Sequence, residues 1–453
     1  MQANRIFYLL ALLSFFPALF YFYVGEEGLF TIYSMEMWQH QNFLSVMSYG
    51  GSGGRPPLYN WLMIPVTRLI GWDNVLVAAR LVTVVATFCS SLILAWLAQQ
   101  LWRDKEISIW AALLYITTAD VLIYRGWLAY ADPLFAAFVL LALAWLWVSC
   151  LRHSHYFLAA ALIAAFAAFL TKALTIYIFF GVTWVVLVRD KQYREFLTER
   201  RLWLIYLLGM SLPVLWLALN SQSSGQGQEM LHDILAKISF ISARDYLVQV
   251  IIFPLEMSVR LMPVSFILCY LLLRKGGIIG SPALSSALLI ALLNFLPYWF
   301  APQSSVRYVL PIYPFLALAA AYLVVKSEWL VSARRWVAGM VALGFVMKGI
   351  LFPYYQSHYR GENYFDKAQD ILKHYGNLPL YSMDSTAVGS SVTAYIDSIN
   401  FAHPALGYPS MNFSNGIVLA SSPDVVSGQI IKSYQLGGNT LYLICRGEAC
   451  AAN

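Results

Sequence analysis

Charged residues are scarce in this sequence. Asp, Glu, Lys and Arg make up only 11% of the 453 residues, whereas a soluble globular protein carries about a quarter. Hydrophobic residues make up 60%, and apolar stretches close to the ~20 residues needed to cross a hydrocarbon core recur along most of the chain. The composition therefore excludes an ordinary soluble protein and predicts a polytopic membrane protein.

The first apolar run lacks the small-residue cleavage site of a signal peptide. It follows Arg5 and continues through "FYFY" at 20–23, so we expect it to be retained as a membrane span. Long basic segments are also few. The formal net charge of +6 falls mainly in short loops between apolar stretches, and we expect membrane lipids, and no nucleic acid, as surroundings.

The apolar pattern predicts an all-α membrane domain with about eleven transmembrane helices. The predicted spans are 6–24, 76–101, 107–124, 133–151, 156–171, 173–188, 202–219, 247–273, 279–300, 306–325 and 336–353. Lys and Arg are concentrated in the loops "WRDKE", "LRHSH", "VRDKQYREFLTERR", "LRKGG" and "VKSEWLVSARRW". Cytoplasmic loops carry the excess of positive charge, which predicts a cytoplasmic N-terminus and an outer, periplasmic side holding residues 25–75 and the C-terminus.

The predicted outer side contains the segments that are too short or too polar to span. Residues 28–47 and 57–71 fit interfacial helices, and 220–245 begins with a Ser/Gly/Gln run typical of a flexible loop. Near the end of the chain, an amphipathic pattern and the short runs "PLYSM" and "NTLYLIC" predict a small α/β unit. The chain thus divides into a transmembrane domain, 1–353, and a periplasmic α/β domain, 354–453.

Cysteine is rare as well, with five residues in the whole chain. Cys89, Cys150 and Cys269 fall in predicted spans, where we expect them as small core residues. Cys445 and Cys450 lie in the predicted outer domain, where an oxidising compartment permits a disulfide, with two free thiols as the alternative. The spacing of these two residues matches no metal-binding motif.

A small set of charged residues falls on the predicted outer side. Its members are Glu26 and Glu27 in "VGEEGLF", Arg55 in "GGRPPLYNWL", Asp132 in "YADPLF", Lys172 in "FLTKAL" and Arg307 in "SSVRYVLPIYP". Each also has a purely structural explanation. A glutamate can cap a helix, an arginine can bind lipid phosphate or extend to the interface, and Asp-Pro often starts a helix.

Lys172 is the hardest of these residues to explain structurally, because the stretch 156–188 contains no other charge. A lysine at the centre of a membrane helix costs roughly 2.5–3.5 kcal/mol on insertion scales, and it normally faces a cavity and has a partner. If the stretch is two short spans that meet at the outer face, this cost falls and the ammonium still lies near the other charges. We therefore expect Lys172 to have a functional role.

The combination of cations and carboxylates in this set predicts a reaction of a phosphate-linked substrate. Cations at 55, 172 and 307 could hold a phosphate at the membrane surface through charge-assisted hydrogen bonds. A carboxylate beside them could accept a proton from an attacking hydroxyl, while the cations stabilise the departing phosphate. The hypothesis is transfer of a phosphate-linked group from a lipid carrier to an acceptor. A lipid or glycan transporter and a non-catalytic assembly scaffold are the alternatives from other classes.

The order and spacing of these motifs resemble the GT-C membrane glycosyltransferases, in the branch that contains protein O-mannosyltransferases and the bacterial lipid A aminoarabinose transferase. An acidic pair follows the first span in "GEEGLFTIYSMEMWQ", and a basic-Pro-Pro element follows in "RPPLYNWL". Next come an Asp-Pro in "YADPLF", a lysine element in "FLTKAL" and a late element in "RYVLPIYP". Each motif is short, and their order along the whole chain carries the resemblance.

The resemblance implies an inner-membrane GT-C glycosyltransferase that uses a polyprenyl (undecaprenyl) phosphate sugar donor. The acceptor would be lipid A, another surface glycan or a protein such as pilin, and a protein O-glycosyltransferase is the alternative within the enzymes. Glu26 would be the catalytic carboxylate, assisted or oriented by Glu27, with Asp132 supporting the site.

The same resemblance implies how the donor phosphate is held. It would be bound by Arg55, Lys172, Arg307 and Tyr308, all of which fall in the motifs quoted above. Some relatives carry a divalent metal near this site. This sequence has no clear ligand cluster there, so no cofactor is assigned and a divalent metal stays open.

Overall fold

Helices make up most of the structure. The computed structural model describes residues 2–224, 242–274, 281–410 and 413–450, together with 228, 230, 232, 235–237 and 239. Within them the α-helices are α1 (Gln2–Leu13), α2 (Glu27–Gln39), α3 (Leu58–Ile70), α4 (Val75–Trp102), α5 (Lys105–Ile116), α6 (Ala131–Arg152), α7 (His155–Thr171), α8 (Ile176–Val188), α9 (Lys191–Leu197), α10 (Leu202–Ser224), α11 (Ala243–Arg260), α12 (Val264–Arg274), α13 (Pro282–Phe300), α14 (Tyr313–Lys326), α15 (Leu330–Val346), α16 (Tyr364–Tyr375) and α17 (Ala387–Ile399). Further helical turns continue α15 to Tyr359.

Seven of the described helical segments are long and apolar enough to cross a membrane. They are Ala3–Phe20, Trp72–Trp102, Ala131–Arg152, Leu202–Asn220, Pro282–Phe300, Val306–Lys326 and Leu330–Tyr359. Two shorter apolar helices, α7 and α8, lie between them in the chain. This architecture confirms the predicted all-α polytopic membrane fold, although seven clear spans do not establish the expected number of about eleven.

The span predicted over 247–273 is not a single straight helix. The described chain forms two helices here, α11 and α12, which are bent by 100° relative to each other. The bend falls at Leu261–Pro263. Proline lacks a backbone N–H and its ring clashes with the preceding turn, so Pro263 was a signal in the sequence that the helix from Ala243 ends before it.

The helix that follows the first span is enclosed by protein. Nearly every residue of α2 from Glu27 to Met37 is buried, because α3, α4 and α17 pack against it. Polar side chains on α2 find partners inside, as where Asn60 Nδ2 donates to Ser34 Oγ at 2.8 Å. The helix predicted within residues 28–47 is therefore present, and its location at the membrane surface stays a prediction.

The strands fall in two small sheets. In the first, β1 (Met47–Ser48) and β2 (Gly51–Ser52) form an antiparallel hairpin between α2 and α3. The second has four strands, β3 (Leu380–Ser382), β4 (Gly416–Ala420), β5 (Gln429–Leu436) and β6 (Asn439–Arg446), in the order β3-β4-β6-β5. β3 runs parallel to β4, and the other two pairs are antiparallel.

Residues 364–450 form a C-terminal unit in which α16 and α17 accompany the four-stranded sheet. The predicted runs "PLYSM" and "NTLYLIC" are present as β3 and β6, whereas β4 and β5 were not predicted. Yet "GIVLA" in β4 is a continuous apolar run, the usual pattern of a fully buried strand. A disulfide joins Cys445 in β6 to Cys450 in the turn that follows.

Packing of the apolar helices brings several chain segments to one end of the helical bundle. The bundle core includes Trp110, Trp127 and Trp147, each at most 1% exposed. The start of α2, the start of α6, the end of α7 and the turn before α14 border one cavity. We call this end of the bundle the site end.

Candidate active site

A cavity of about 340 Å³ opens at the site end. Six of the seven residues predicted for catalysis or phosphate binding border it. They are Glu26, Arg55, Asp132, Lys172, Arg307 and Tyr308. These residues come from parts of the chain almost three hundred positions apart, so the fold brings together a set that the sequence suggested only through common sidedness.

Asp132 and Lys172 form an ion pair between two helix ends. Asp132 lies in the first turn of α6, directly before Pro133, and Lys172 follows the last residue of α7. The Lys172 Nζ donates to Asp132 Oδ1, and the side chains are 25% and 10% exposed for lysine and aspartate. The lysine therefore has the partner that a cation in an apolar stretch requires, and Asp132 is largely shielded from solvent.

Glu26 and Arg307 form a looser pair on the open side of the cavity. Arg307 Nη1 lies 3.7 Å from Glu26 Oε2, and the side chains are 38% and 50% exposed for arginine and glutamate. A long contact between half-exposed groups contributes little to stability. Each group is therefore available to a ligand, the arginine to an anion and the glutamate to a proton donor.

The backbone around Glu26 is held in place by Tyr130. The Glu26 N–H donates to Tyr130 Oη at 2.9 Å, and that hydroxyl donates to Val24 O at 3.3 Å. Burial raises the pKa of the Tyr130 phenol, so it stays neutral and can donate. Gly25 has φ +59°, and a Cβ there would lie 2.5 Å from Tyr130 Oη. Only glycine fits this turn, which aims Glu26 into the cavity.

Tyr308 is surrounded by three cations. Its ring centre lies 4.1 Å from Lys237 Nζ, 5.0 Å from Lys172 Nζ and 5.1 Å from Arg307 Cζ. Arg307 Nη2 also donates to Tyr308 Oη at 3.2 Å, whereas the buried Nε of Arg307 has no hydrogen-bond partner. An aromatic face attracts cations, so the ring of Tyr308 holds the three cations close together at one point of the cavity. Their remaining N–H groups can donate to an anion there.

Lys237 was not among the predicted residues. It lies in the segment 220–245, whose Ser/Gly/Gln run falls partly outside the described residues, so the predicted flexibility of that run stays a prediction. Nothing in the local sequence distinguishes Lys237 from an ordinary loop lysine. Only the fold places its ammonium beside Tyr308.

A second, smaller cavity of about 110 Å³ adjoins the first. It shares the residues of the cationic cluster and is otherwise lined mainly by apolar side chains, among them Phe135, Ile178, Pro297, Tyr298 and Pro311. The cluster around Tyr308 thus lies at the junction of a polar cavity and an apolar groove. That arrangement suits an amphiphile whose charged group ends an apolar chain.

Arg55 borders the polar cavity from the opposite chain segment, beyond the hairpin β1–β2. Its side chain is exposed, and its Cζ lies 5.8 Å from the ring centre of Phe30. The cation–π contact orients the guanidinium loosely. Arg55 does not border the apolar groove, so it approaches a bound anion from the polar side.

The cavity carries a surplus of positive charge. Its cations are Arg55, Lys172, Lys237 and Arg307, and its carboxylates are Glu26 and Asp132. Four positive charges less two negative charges leave two, which is enough to neutralise a phosphodiester, with one charge, or a phosphate monoester, with up to two. The site can therefore bind a phosphate and still offer a carboxylate to an attacking hydroxyl.

Glu27 does not border the cavity. Its carboxylate is fully buried and accepts from Arg80 Nε at 3.0 Å and Nη2 at 2.5 Å. It also accepts from the backbone N–H of Val24 at 2.8 Å and of Ala129 at 2.6 Å. In the structure Glu27 therefore fixes the start of α2 next to Glu26, and it has no direct access to a substrate in the cavity.

Arg80 was also missed by the sequence reasoning. It is fully buried in α4 and donates to the backbone oxygens of Ala18, Tyr21 and Phe22 as well as to Glu27. A single arginine in the apolar run "VLVAARLVTV" was a signal, because a charge inside a span needs an internal partner. The pair Glu27–Arg80 ties the end of the first span to α4.

A second ionic group surrounds the buried side chain of Asp120. Asp120 accepts from Arg125 Nε at 3.0 Å, Arg260 Nη1 at 2.9 Å and Tyr313 Oη at 3.1 Å. The three partners come from the turn after α5, the end of α11 and the start of α14. The group joins the bent helix pair to the bundle and borders neither cavity.

The described residues do not fit a metal site. Across the ranges given above, no three His, Cys, Asp or Glu side chains come together in a way that could hold an ion. The cavity carboxylates Glu26 and Asp132 are instead paired with cations.

Comparison with known proteins shows the fold. No protein-family model and no curated protein sequence matches the chain. Among solved structures, ArnT from Cupriavidus metallidurans bound to undecaprenyl phosphate is similar with a TM-score of 0.73 and 16% identity, covering 97% of each chain. ArnT in the apo state gives 0.70 at the same identity and coverage. The expected GT-C fold is thus confirmed.

A third structure, the arabinosyltransferase EmbB from Mycobacterium smegmatis, is more distant. Its TM-score is 0.47 at 11% identity, and the match covers 88% of this chain and 37% of EmbB.

Proposed function

We propose that this chain is a membrane glycosyltransferase that moves a sugar from a polyprenyl phosphate to an acceptor hydroxyl. The observation that carries the proposal is the cationic cluster around Tyr308, which lies where a polar cavity meets an apolar groove. The fold shared with ArnT, which was solved bound to undecaprenyl phosphate, supports the same donor class.

The donor phosphate binds at the junction of the two cavities. Lys172, Lys237 and Arg307 supply charge-assisted hydrogen bonds, each contributing roughly 1.5–3 kcal/mol. The first isoprene units lie in the apolar groove, and the sugar projects into the polar cavity. Arg55, which borders that cavity, contacts the phosphate from the polar side. The rest of the polyprenyl chain lies in the surrounding lipid.

Donor binding also prepares the base. In the structure Arg307 is shared between the Tyr308 hydroxyl and the Glu26 carboxylate. A bound phosphate competes for Arg307 and draws it away from the 3.7 Å contact with Glu26. The carboxylate of Glu26 then faces the acceptor, whereas Asp132 keeps its own partner, Lys172.

Transfer follows as one exchange of bonds at the anomeric carbon. Glu26 accepts the proton of the acceptor hydroxyl, the hydroxyl oxygen forms a bond to the anomeric carbon, and the bond from that carbon to the phosphate oxygen breaks. The electron pair of the broken bond stays on the phosphate, where the cationic cluster stabilises it. The products are the glycosylated acceptor and polyprenyl phosphate.

The acceptor lies on the side to which the site end opens. The positive charge of the opposite loops supports a cytoplasmic N-terminus and a periplasmic site at the inner membrane of a bacterium. Lipid A or another cell-surface glycan is the proposed acceptor class. A protein acceptor, as in a protein O-glycosyltransferase, is the second candidate.

Two measurements test this function. The purified chain in lipid nanodiscs should bind undecaprenyl phosphate saturably, and Lys172→Ala should weaken that binding. Mass spectrometry of lipid A, surface glycan and pilin, with and without the gene, should then show one added sugar that depends on Glu26. Movement of the lipid across a membrane without any glycosylated product would instead favour a transporter.

A further inference from the structure

The hairpin β1–β2 forms one wall of the polar cavity. Ser48 and Ser52 of its two strands and Gly53, Gly54 and Arg55 beyond it all border the cavity. The N–H of Gly53 donates to Val46 O at 2.7 Å and closes the base of the hairpin. The position of the hairpin therefore sets where the Arg55 guanidinium enters.

The tip of this hairpin is bound by a buried carboxylate that the proposed mechanism does not use. Tyr49 and Gly50 have φ of +52° and +78°, so their two N–H groups point the same way. Both donate to Glu36 of α2: Tyr49 to Oε1, and Gly50 to Oε2 at 2.9 Å. Glu36 is 1% exposed. Each oxygen of the carboxylate thus has its own backbone donor.

The opposite side of the tip is bound by the C-terminal unit. The backbone N–H of Tyr408 donates to Tyr49 O at 3.1 Å, and Tyr49 Oη donates to Asp384 O at 3.1 Å. The rings of Tyr49 and Tyr408 lie 5.0 Å apart. The hairpin tip is therefore clamped between Glu36 and the C-terminal unit. Tyr49, at this tip, precedes Arg55 by 6 residues in the chain.

We propose that Glu36 is a positioning residue for donor binding, because it holds the hairpin tip and thereby the segment that carries Arg55. The inference rests on the proposed function, in which Arg55 contacts the bound phosphate from the polar side. It also gives the C-terminal unit a role at the site, as the second half of the clamp.

The variant that tests this is Glu36→Gln. The amide oxygen can accept one of the two backbone N–H groups, but the amide nitrogen opposes the other. Burial raises the pKa of the Glu36 carboxyl to about 7, so binding is measured at about pH 8, where the carboxylate predominates. The dissociation constant for undecaprenyl phosphate in nanodiscs should rise about tenfold, as expected for losing one charge-assisted hydrogen bond.

A double-mutant cycle with Arg55→Gln separates positioning from general damage. If Glu36 acts through Arg55, then Glu36→Gln in the Arg55→Gln background should weaken binding no further. The inference would be overturned if the two substitutions raised the dissociation constant by independent factors that multiply in the double variant, or if Arg55→Gln bound like wild type. The proposed function would still stand in both cases. A wild-type protein that does not bind undecaprenyl phosphate would overturn both.

Two more variants keep the result interpretable. Gly50→Val attacks the clamp from the hairpin, since its φ of +78° strains a β-branched residue although no atom lies within 4 Å of the new Cβ. It should reproduce the coupling to Arg55 if Glu36→Gln fails to fold. Gln39→Ala is the matched control, because Gln39 on the same helix binds the C-terminal unit at Phe401 and His403 without touching the hairpin.

Hydrogen exchange supplies a readout that needs no ligand. Amide exchange over residues 46–55 should rise in Glu36→Gln and stay at the wild-type level in Gln39→Ala. Gln39→Ala should lower thermal stability and combine independently with Arg55→Gln. Equal exchange in Glu36→Gln and wild type would overturn the clamp itself.

Discussion

Two adjacent glutamates at the end of the first apolar run lie in opposite environments. The Glu26 side chain is 50% exposed and lies 3.7 Å from one guanidinium nitrogen of Arg307. The Glu27 side chain is 0% exposed. Its carboxylate accepts from two nitrogens of Arg80 and from two backbone N–H groups. One carboxylate has spare capacity to accept a proton, and the other has none.

The difference shows that two neighbouring carboxylates can have separate roles in this fold, one structural and one chemical. A buried pair with every lone pair occupied is costly to break but contributes no free group for chemistry. A half-exposed pair with a long contact adds little stability but can exchange its partner for a ligand. The region around Glu27 therefore keeps the backbone in place, so that the region around Glu26 can stay loose and reactive.

The largest expected effect is loss of transfer in Glu26→Gln. The amide cannot accept the acceptor proton, so the turnover number should fall by about 10²–10⁴ if this carboxylate is the general base. Thermal stability should stay near the wild-type value because the side chain is half exposed. Turnover is measured with the donor and acceptor identified by mass spectrometry.

The control for that comparison is Glu195→Gln, which removes an exposed carboxylate in α9, outside both cavities. It should leave turnover and stability unchanged. Normal turnover in Glu26→Gln would show that the base is another group and that the open environment of Glu26 serves only to bind cations.

The next effect concerns Glu27 and Arg80. Glu27→Gln leaves the Arg80 guanidinium buried without its counter-ion, and breaking a buried pair from one side costs about 3–5 kcal/mol. We expect a large drop in the thermal unfolding temperature and in the yield of folded protein. Combining Glu27→Gln with Arg80→Met removes both charges, so it should recover part of the stability. A Glu27→Gln protein that is stable but inactive would assign Glu27 to the chemistry.

Lys172→Ala should have an intermediate effect with two components. Removing one cation from the phosphate site should weaken undecaprenyl phosphate binding by about 10- to 100-fold. It also leaves Asp132, which is 10% exposed, without its partner, so stability should fall. Lys237→Ala removes a cation with no carboxylate partner among the described ion pairs, and it should weaken binding without the loss of stability. Equal stability losses in the two variants would contradict this account of Asp132.

How far the sequence predicted these environments depends on what each pattern encodes. A run of apolar residues indicates that the segment is shielded from water, so the membrane fold was predicted from composition. It does not state whether lipid or protein does the burying, so the contact between α17 and α2 was not predicted. The break at Pro263 was encoded locally, whereas the contact that covers α2 joins residues more than three hundred positions apart.

The candidate site shows the same division. Glu26, Asp132, Lys172 and Arg307 were predicted because charges are rare in this chain and each lies at an apolar boundary. The local sequence does not distinguish Glu26 from Glu27, and only the family resemblance gave them different roles. Their environments differ because Glu27 pairs with Arg80, 53 positions away. Lys237 was missed since loop lysines are ordinary, and only its approach to Tyr308 makes it part of the site.

The smallest expected effect extends the comparison of open and enclosed carboxylates to the C-terminal unit. Asp370 on α16 is 30% exposed and accepts from Lys432 Nζ at 2.7 Å and Tyr434 Oη at 2.6 Å. The hydrogen bond from Lys432, followed by that from Tyr434, lowers the pKa of Asp370 below its usual value.

A carboxyl group with a lowered folded-state pKa stabilises the protein fully above its unfolded-state pKa of about 3.9, and this contribution is lost as the pH falls through the folded-state value. Asp370→Asn should therefore lower the free energy of unfolding of the full chain at neutral pH by less than about 1 kcal/mol for so exposed a pair, seen as a slightly lower thermal unfolding temperature. The difference from wild type should vanish in strong acid. Asp366→Asn, on the same helix and exposed, should show no such pH-dependent difference; if it does, the Lys432 and Tyr434 contacts are not the source of the effect.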